Sequence, residues 1–191
     1  MESPGEITGL IAGWQRGDPA AENALFEALY RRLYGIAMQC LRSESRGQTM
    51  GATALVHEAY LRFKSADRLQ IVNRGHFLAL SARVMRRILV DRARARCSSK
   101  RQGLMVAAED VDALFSSDPE AEEVLAVNRA LDSLGLQSPR QARLVEFRYF
   151  AGFSEEESAA ALGISVRTAR REWNVARTRL RMAIDGTPGT A

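Results

Sequence analysis

The chain has 191 residues, 46% of them hydrophobic and 26% charged, with a formal net charge of +4; these proportions suit a folded globular protein and exclude a disordered or collagen-like one. No apolar run approaches the about 18 residues that a bilayer crossing needs, and the first nine residues hold two Glu and no Lys or Arg, which does not suit a secretory leader. Two cysteines, Cys40 and Cys97, stand far apart and outside any metal-ligand spacing, which points to reduced thiols in the cytoplasm and to neither a disulfide nor a zinc site.

Sparse Gly and Pro and the lack of β-branched runs indicate an all-helical chain. Ile7, Leu10, Ile11 and Trp14 recur at helical spacing and predict a first helix over 6–15. Gly17-Asp18-Pro19 stops it; Asp18 suits an N-cap and Pro19 a first helical position. A second helix therefore starts there and runs to 41, with Leu25, Phe26, Leu29, Leu33, Ile36, Ala37 and Cys40 on its apolar stripe. After a polar loop over 43–51, a third helix over 54–64 turns Leu55, Val56, Ala59, Tyr60 and Phe63 inward and leaves His57, Glu58 and Arg62 outward. A loop over 65–75 leads to a fourth helix, 76–96, with Phe77, Leu80, Val84 and Ile88 inside and Arg83, Arg86, Arg87 and Arg94 on the opposite face. The stretch 97–118 has little periodicity and reads as an interdomain linker. Helices are then expected over 119–133, 139–150, 154–162 and 166–184, followed by a frayed tail. The fold class is all-α: two small helical domains joined by an acidic flexible linker.

The modest net charge conceals blocks. From 73 to 101 there are nine basic residues and one acid; from 102 to 125, seven acids and no base; from 165 to 183, six Arg and one Glu. Charge runs are usually solvated faces, but two basic blocks on helices suit a polyanion partner. Of the 27 basic residues only Lys64 and Lys100 are lysines. A GC-rich genome gives such a bias, and so does bidentate phosphate and guanine contact.

The segment 152–171 carries the sharpest signal. Ser154 caps a helix and Glu157 completes a capping box. Gly163 supplies a tight turn, and small residues on both sides let two helices cross closely. This is a helix-turn-helix pattern. On its second helix, Val166, Ala169, Trp173, Ala176 and Leu180 form the inner stripe. Arg167, Thr168, Arg170, Arg171, Asn174 and Arg177 are left for DNA bases and phosphates.

Thr53-Ala54-Leu55-Val56-His57-Glu58-Ala59-Tyr60-Leu61 and Met85-Arg86-Arg87-Ile88-Leu89-Val90-Asp91, together with the helix-turn-helix, resemble bacterial RNA polymerase sigma factors of the extracytoplasmic-function (ECF) group. More narrowly they resemble the subgroup common in planctomycetes and acidobacteria. The resemblance implies that residues 1–96 dock on core RNA polymerase and melt the −10 promoter element, and that 120–185 read the −35 element. It implies polymerase contacts, to the β and β′ subunits, with His57, Glu58 and Arg62 on the clamp-binding segment. It implies −10 DNA contacts by Asn73, Arg74, His76, Arg83, Arg86 and Arg87. Anti-sigma factors are possible further partners. Leu80, Ile71 and Val72 stand where the family often has an aromatic, and Ser158 and Ala169 where it often has larger apolar residues. The acidic run 102–118 suits three roles: a mask over the basic helix, a chain threaded through the polymerase, or a solvated tether.

A stand-alone helix-turn-helix regulator is the alternative; it explains the C-terminal half but not the second basic helix. No Gly-rich phosphate loop, metal-ligand cluster or nucleophile–base motif suggests an enzyme, and no cofactor is expected.

Overall fold

The computed structural model describes residues 4–42, 50–65, 70–106 and 119–186. The described chain is helical: α1 Pro4–Gln15, α2 Pro19–Leu41, α3 Ala52–Lys64, α4 Arg74–Val106, α5 Pro119–Gln137, α6 Pro139–Val145, α7 Glu155–Leu162 and α8 Val166–Asp185. Helix α6 runs on into a wide π turn, Glu146–Phe150, where a single α-helix to 150 is expected from the sequence. Helix α4 passes the expected end at 96 and continues to Val106, because no Gly or Pro interrupts it before Gly103. The acidic run at 107–118, most of the loop at 43–51, residues 66–69 of the next loop and the tail from 187 lie outside the described residues.

Local chemistry sets the boundaries. The Asp18 carboxylate accepts from the Ala20 and Ala21 N–H groups at 2.9 and 3.4 Å, with Pro19 opening α2. Between α7 and α8 the Ser154 hydroxyl accepts from the Glu157 N–H at 3.1 Å while the Glu157 carboxylate accepts from the Ser154 N–H at 2.9 Å. Gly163 then takes φ +64°, which lets the Gly163 and Ile164 N–H groups close on the Ala160 and Ala159 carbonyls. The Ser165 hydroxyl caps α8 by accepting from the Thr168 N–H at 3.2 Å.

Helices α1 to α4 bury Ile7, Ile11, Leu25, Leu33, Leu55, Phe77 and Met85 among them. Trp14 meets Phe26, Phe63 and Phe77 edge-on, with centroids about 6 Å away in each case. The C-terminal helices do not stand apart. Leu131, Leu134, Val145, Phe147, Phe150 and Phe153 belong to the same buried cluster as the N-terminal core. A second cluster joins Val90 and Ala93 of α4 to Ala121 and Val124 of α5. Two halves that are each too small for a large core thus share one.

Candidate nucleic-acid interface

Helix α8, the second helix of the helix-turn-helix, is built on a narrow base. Ala169 and Ala176 are buried on its inner face, with Val166, Trp173 and Leu180 half-buried beside them. Glu172 is also buried, and it pairs with Arg140 of α6. The sequence pattern gave no hint of this, since Glu172 reads there as one acid on a basic helix; the ion pair ties α8 to α6. The outer face presents Arg167, Arg170, Arg171, Asn174 and Arg177, all exposed. Thr168 lies to the side, half-buried, with its hydroxyl 2.9 Å from that of Ser165.

Arg170 is held in place. Its Nε and Nη2 both donate to one carboxylate oxygen of Glu155, at 3.0 and 2.8 Å. Arg148 approaches the same carboxylate at 3.4 Å and lies over the Trp173 ring at 5.1 Å. Hydrogen bonding from Arg170 and the charges of Arg170 and Arg148 hold the Glu155 carboxyl below the usual carboxylate range, against a smaller opposing effect of burial. The carboxylate raises the Arg170 guanidinium in return. The edge of Arg170 that remains for a base is the one carrying Nη1.

The second basic face is on α4. Asn73 caps this helix, its side-chain oxygen accepting from the His76 N–H at 2.9 Å, and the His76 Nδ1 accepts from the Val72 N–H at 3.3 Å. Both are exposed, as is Arg87, while Arg74 is half-buried. Arg83 and Arg86 are engaged by the C-terminal half. Arg83 donates to Glu146 at 2.8 Å. Arg86 donates to the Asn128 side-chain oxygen at 3.0 Å and approaches Glu146 at 3.5 Å and Asp132 at 3.9 Å. Its guanidinium also lies 5.9 Å from the Phe150 ring centroid. Beside these contacts a cleft of about 440 Å³ opens, lined by Arg83, Arg86, Arg87 and Arg94 of α4 and by Asn128 and Asp132 of α5. Sequence reasoning missed Asn128, Asp132 and Glu146 because nothing in local spacing links them to residues 42 and 63 positions earlier.

On α3, His57 and Arg62 are exposed and Glu58 half-buried. Arg62 reaches Glu58 and, on α4, Asp91, each at 3.5 Å. The three expected polymerase contacts therefore share one stretch of α3. A further surface went unnoticed in the sequence: Tyr30, Tyr34 and Met38, four residues apart along α2, are all exposed.

An all-α chain with a helix-turn-helix and a separate arginine-faced helix has the make-up of a DNA-binding protein. The ECF sigma factor family model matches residues 4–186, and the chain belongs to that family. No curated protein matches it. It is an alternative sigma factor that initiates transcription with core RNA polymerase at promoter DNA, and members of this family often bind an anti-sigma factor. Among the described residues no helix is long and apolar enough to cross a membrane.

Proposed function

We propose that the two halves divide promoter recognition, residues 1–96 docking on core polymerase and opening the −10 element and residues 120–185 reading the −35 element. The observation that carries this reading is the outer face of α8, where Arg167, Arg170, Arg171, Asn174 and Arg177 stand exposed just beyond the Gly163 turn. That is the part of a recognition helix that enters the major groove. Asn73, Arg74, His76, Arg83, Arg86 and Arg87 serve the −10 strand from the start and one face of α4. His57, Glu58 and Arg62 meet the β′ clamp, an assignment that the exposure of His57 and Arg62 on one stretch of α3 supports. The motifs at 52–61 and 85–91 favour the subgroup common in planctomycetes and acidobacteria. The chain works in the cytoplasm as a specificity subunit and carries no catalytic chemistry of its own.

Run-off transcription with purified core polymerase on genomic fragments tests the assignment and yields a promoter. On that promoter Arg171→Ala is expected to weaken use by about 1–3 kcal/mol, the worth of one bidentate base contact, with core binding intact. Unchanged transcription from single and paired alanine variants of Arg167, Arg170, Arg171 and Asn174 would remove α8 from the interface.

A further inference from the structure

Of Arg167, Arg170, Arg171 and Arg177 on the outer face of α8, only Arg170 meets an acid among the described residues. Its Nε and Nη2 donate to Oε2 of Glu155, the first residue of α7, at 3.0 and 2.8 Å. The other oxygen of that carboxylate, Oε1, faces Nη1 of Arg148 at 3.4 Å. Arg148 is pinned in turn, its guanidinium 5.1 Å from the ring centroid of Trp173, which is half-buried on the inner side of α8. Exposure falls along this row, from 65% for the Arg170 side chain to 24% for Glu155 and 23% for Arg148. The carboxylate is therefore anchored from behind, and Arg170 projects past it into solvent.

A guanidinium carries its N–H donors in one rigid plane, and two of its edges present a parallel pair: Nε with Nη2, and Nη1 with Nη2. Glu155 holds the first edge and leaves the second. We propose that Glu155 is a positioning residue for base readout: by occupying the Nε–Nη2 edge it denies that edge to backbone phosphate and aims the remaining pair of donors at a base, so that a residue on α7 sets the base preference at one position of the DNA under α8. The inference rests on the −35 role proposed above for α8. The free edge is selective. Two donors side by side match two acceptors side by side, and in the major groove guanine offers these through O6 and N7, whereas adenine sets a donor beside its N7 and thymine and cytosine offer one acceptor and one donor respectively. An untethered arginine can instead fork onto a phosphate, a contact that positions the protein but carries no sequence information. The negative charge of Glu155 also opposes the phosphate backbone. Glu155 thus lowers affinity for DNA of any sequence while it raises discrimination at one base pair.

The test uses holoenzyme assembled from core polymerase and the full chain, on a mapped promoter whose −35 element is randomised, with run-off transcripts sequenced to give a base preference at every position. Four chains are compared: the parent, Glu155→Ala, Arg170→Ala and the double variant. A second readout is binding of each free chain to a fluorescein-labelled duplex without a promoter, at several salt concentrations. Arg170→Ala is expected to abolish a preference for guanine at one position, worth about tenfold in the parent, the scale of one bidentate contact. Glu155→Ala should erase most of that same preference, leave the other positions as they were, and tighten binding to the promoter-free duplex with a steeper salt dependence. In the double variant the loss of Glu155 should add nothing to the loss of Arg170. If Arg170→Ala removes the preference and Glu155→Ala does not, Glu155 is not a positioning residue while the −35 assignment of α8 stands. A flattening of all positions alike by Glu155→Ala would show a merely structural role and overturn the proposal. A preference lost at a base other than guanine would overturn the assignment of the free edge. If Arg170→Ala changes no position, Arg170 reads no base and the −35 reading fails at this residue.

Discussion

At the scale of single residues, Glu155 is the hub of the helix-turn-helix. It receives Arg170 from α8 and Arg148 from the π turn, so one carboxylate orients an exposed arginine of α8 and holds another guanidinium over Trp173. Its folded carboxyl titrates below its unfolded value, so the stabilisation it provides is present above the ordinary carboxylate range and fades as pH falls through the folded value. Glu156 shifts the same way, chiefly through a hydrogen bond from its own backbone and then one from the Ser154 hydroxyl. Urea unfolding followed downward from about pH 7 should show Glu155→Gln losing less stability on acidification than the parent. An identical acid limb would remove Glu155 from that role. Ser158 makes the opposite case. It is wholly buried and its hydroxyl has no hydrogen-bond partner. Ser158→Ala removes a desolvated polar group at little cost in volume and is expected to stabilise the protein by about 1 kcal/mol, seen as a higher urea midpoint at unchanged slope. Destabilisation instead would mean that the hydroxyl is satisfied in solution.

At the scale of elements, the turn between α7 and α8 decides where the recognition helix points. Gly163 sits at φ +64°, a conformation that costs a side-chain-bearing residue about 1 kcal/mol. Gly163→Ala should destabilise by that amount, and because the strain falls on the hinge of the motif it should also weaken −35 binding more than it weakens core binding. Equal losses in both would show that the turn only contributes stability. At the other end of the chain, a Cβ on Gly13 would lie 2.6 Å from that of Ala21, so α1 packs on α2 at a distance only glycine permits. These features were readable in advance because their causes are local. Asp18-Pro19, the Ser154–Glu157 box and Gly163 each act within a few residues, and the sequence spells them out. The length of α4 was less readable. Its basic and polar second half lacks an apolar stripe, yet it stays helical beyond 96 because no Gly or Pro interrupts it before Gly103, near its end at Val106. The π turn at Glu146–Phe150 was invisible for a related reason: it buries Glu146, Phe147 and Phe150 at spacings an α-helix also allows.

At the scale of the whole molecule, the family, the helical class and the residues on the outer face of α8 follow from motifs. The docking of one half on the other does not. It joins Arg83 and Arg86 to Asn128, Asp132 and Glu146 across the entire middle of the chain. Such contacts depend on shape and on charges that, in sequence, look like solvated faces. The acidic run that seemed suited to mask α4 lies outside the described residues, and acids of α5 and the π turn hold that place instead. The shared core also sets an expectation for stability. Leu131→Ala, at a buried position between the halves, should cost about 2–5 kcal/mol and lower a single cooperative transition rather than split it. Two separate transitions in calorimetry would show that each half folds on its own core.

The division of labour between the two arginine faces is most directly tested by permanganate footprinting of melted thymines on a mapped promoter, using holoenzyme assembled with the Arg86→Glu, Arg87→Glu double variant. The expected result is a protein that still joins core polymerase and still protects the −35 element through α8 but leaves the −10 thymines unreactive. Normal melting by the double variant would contradict the assignment of α4 to promoter opening.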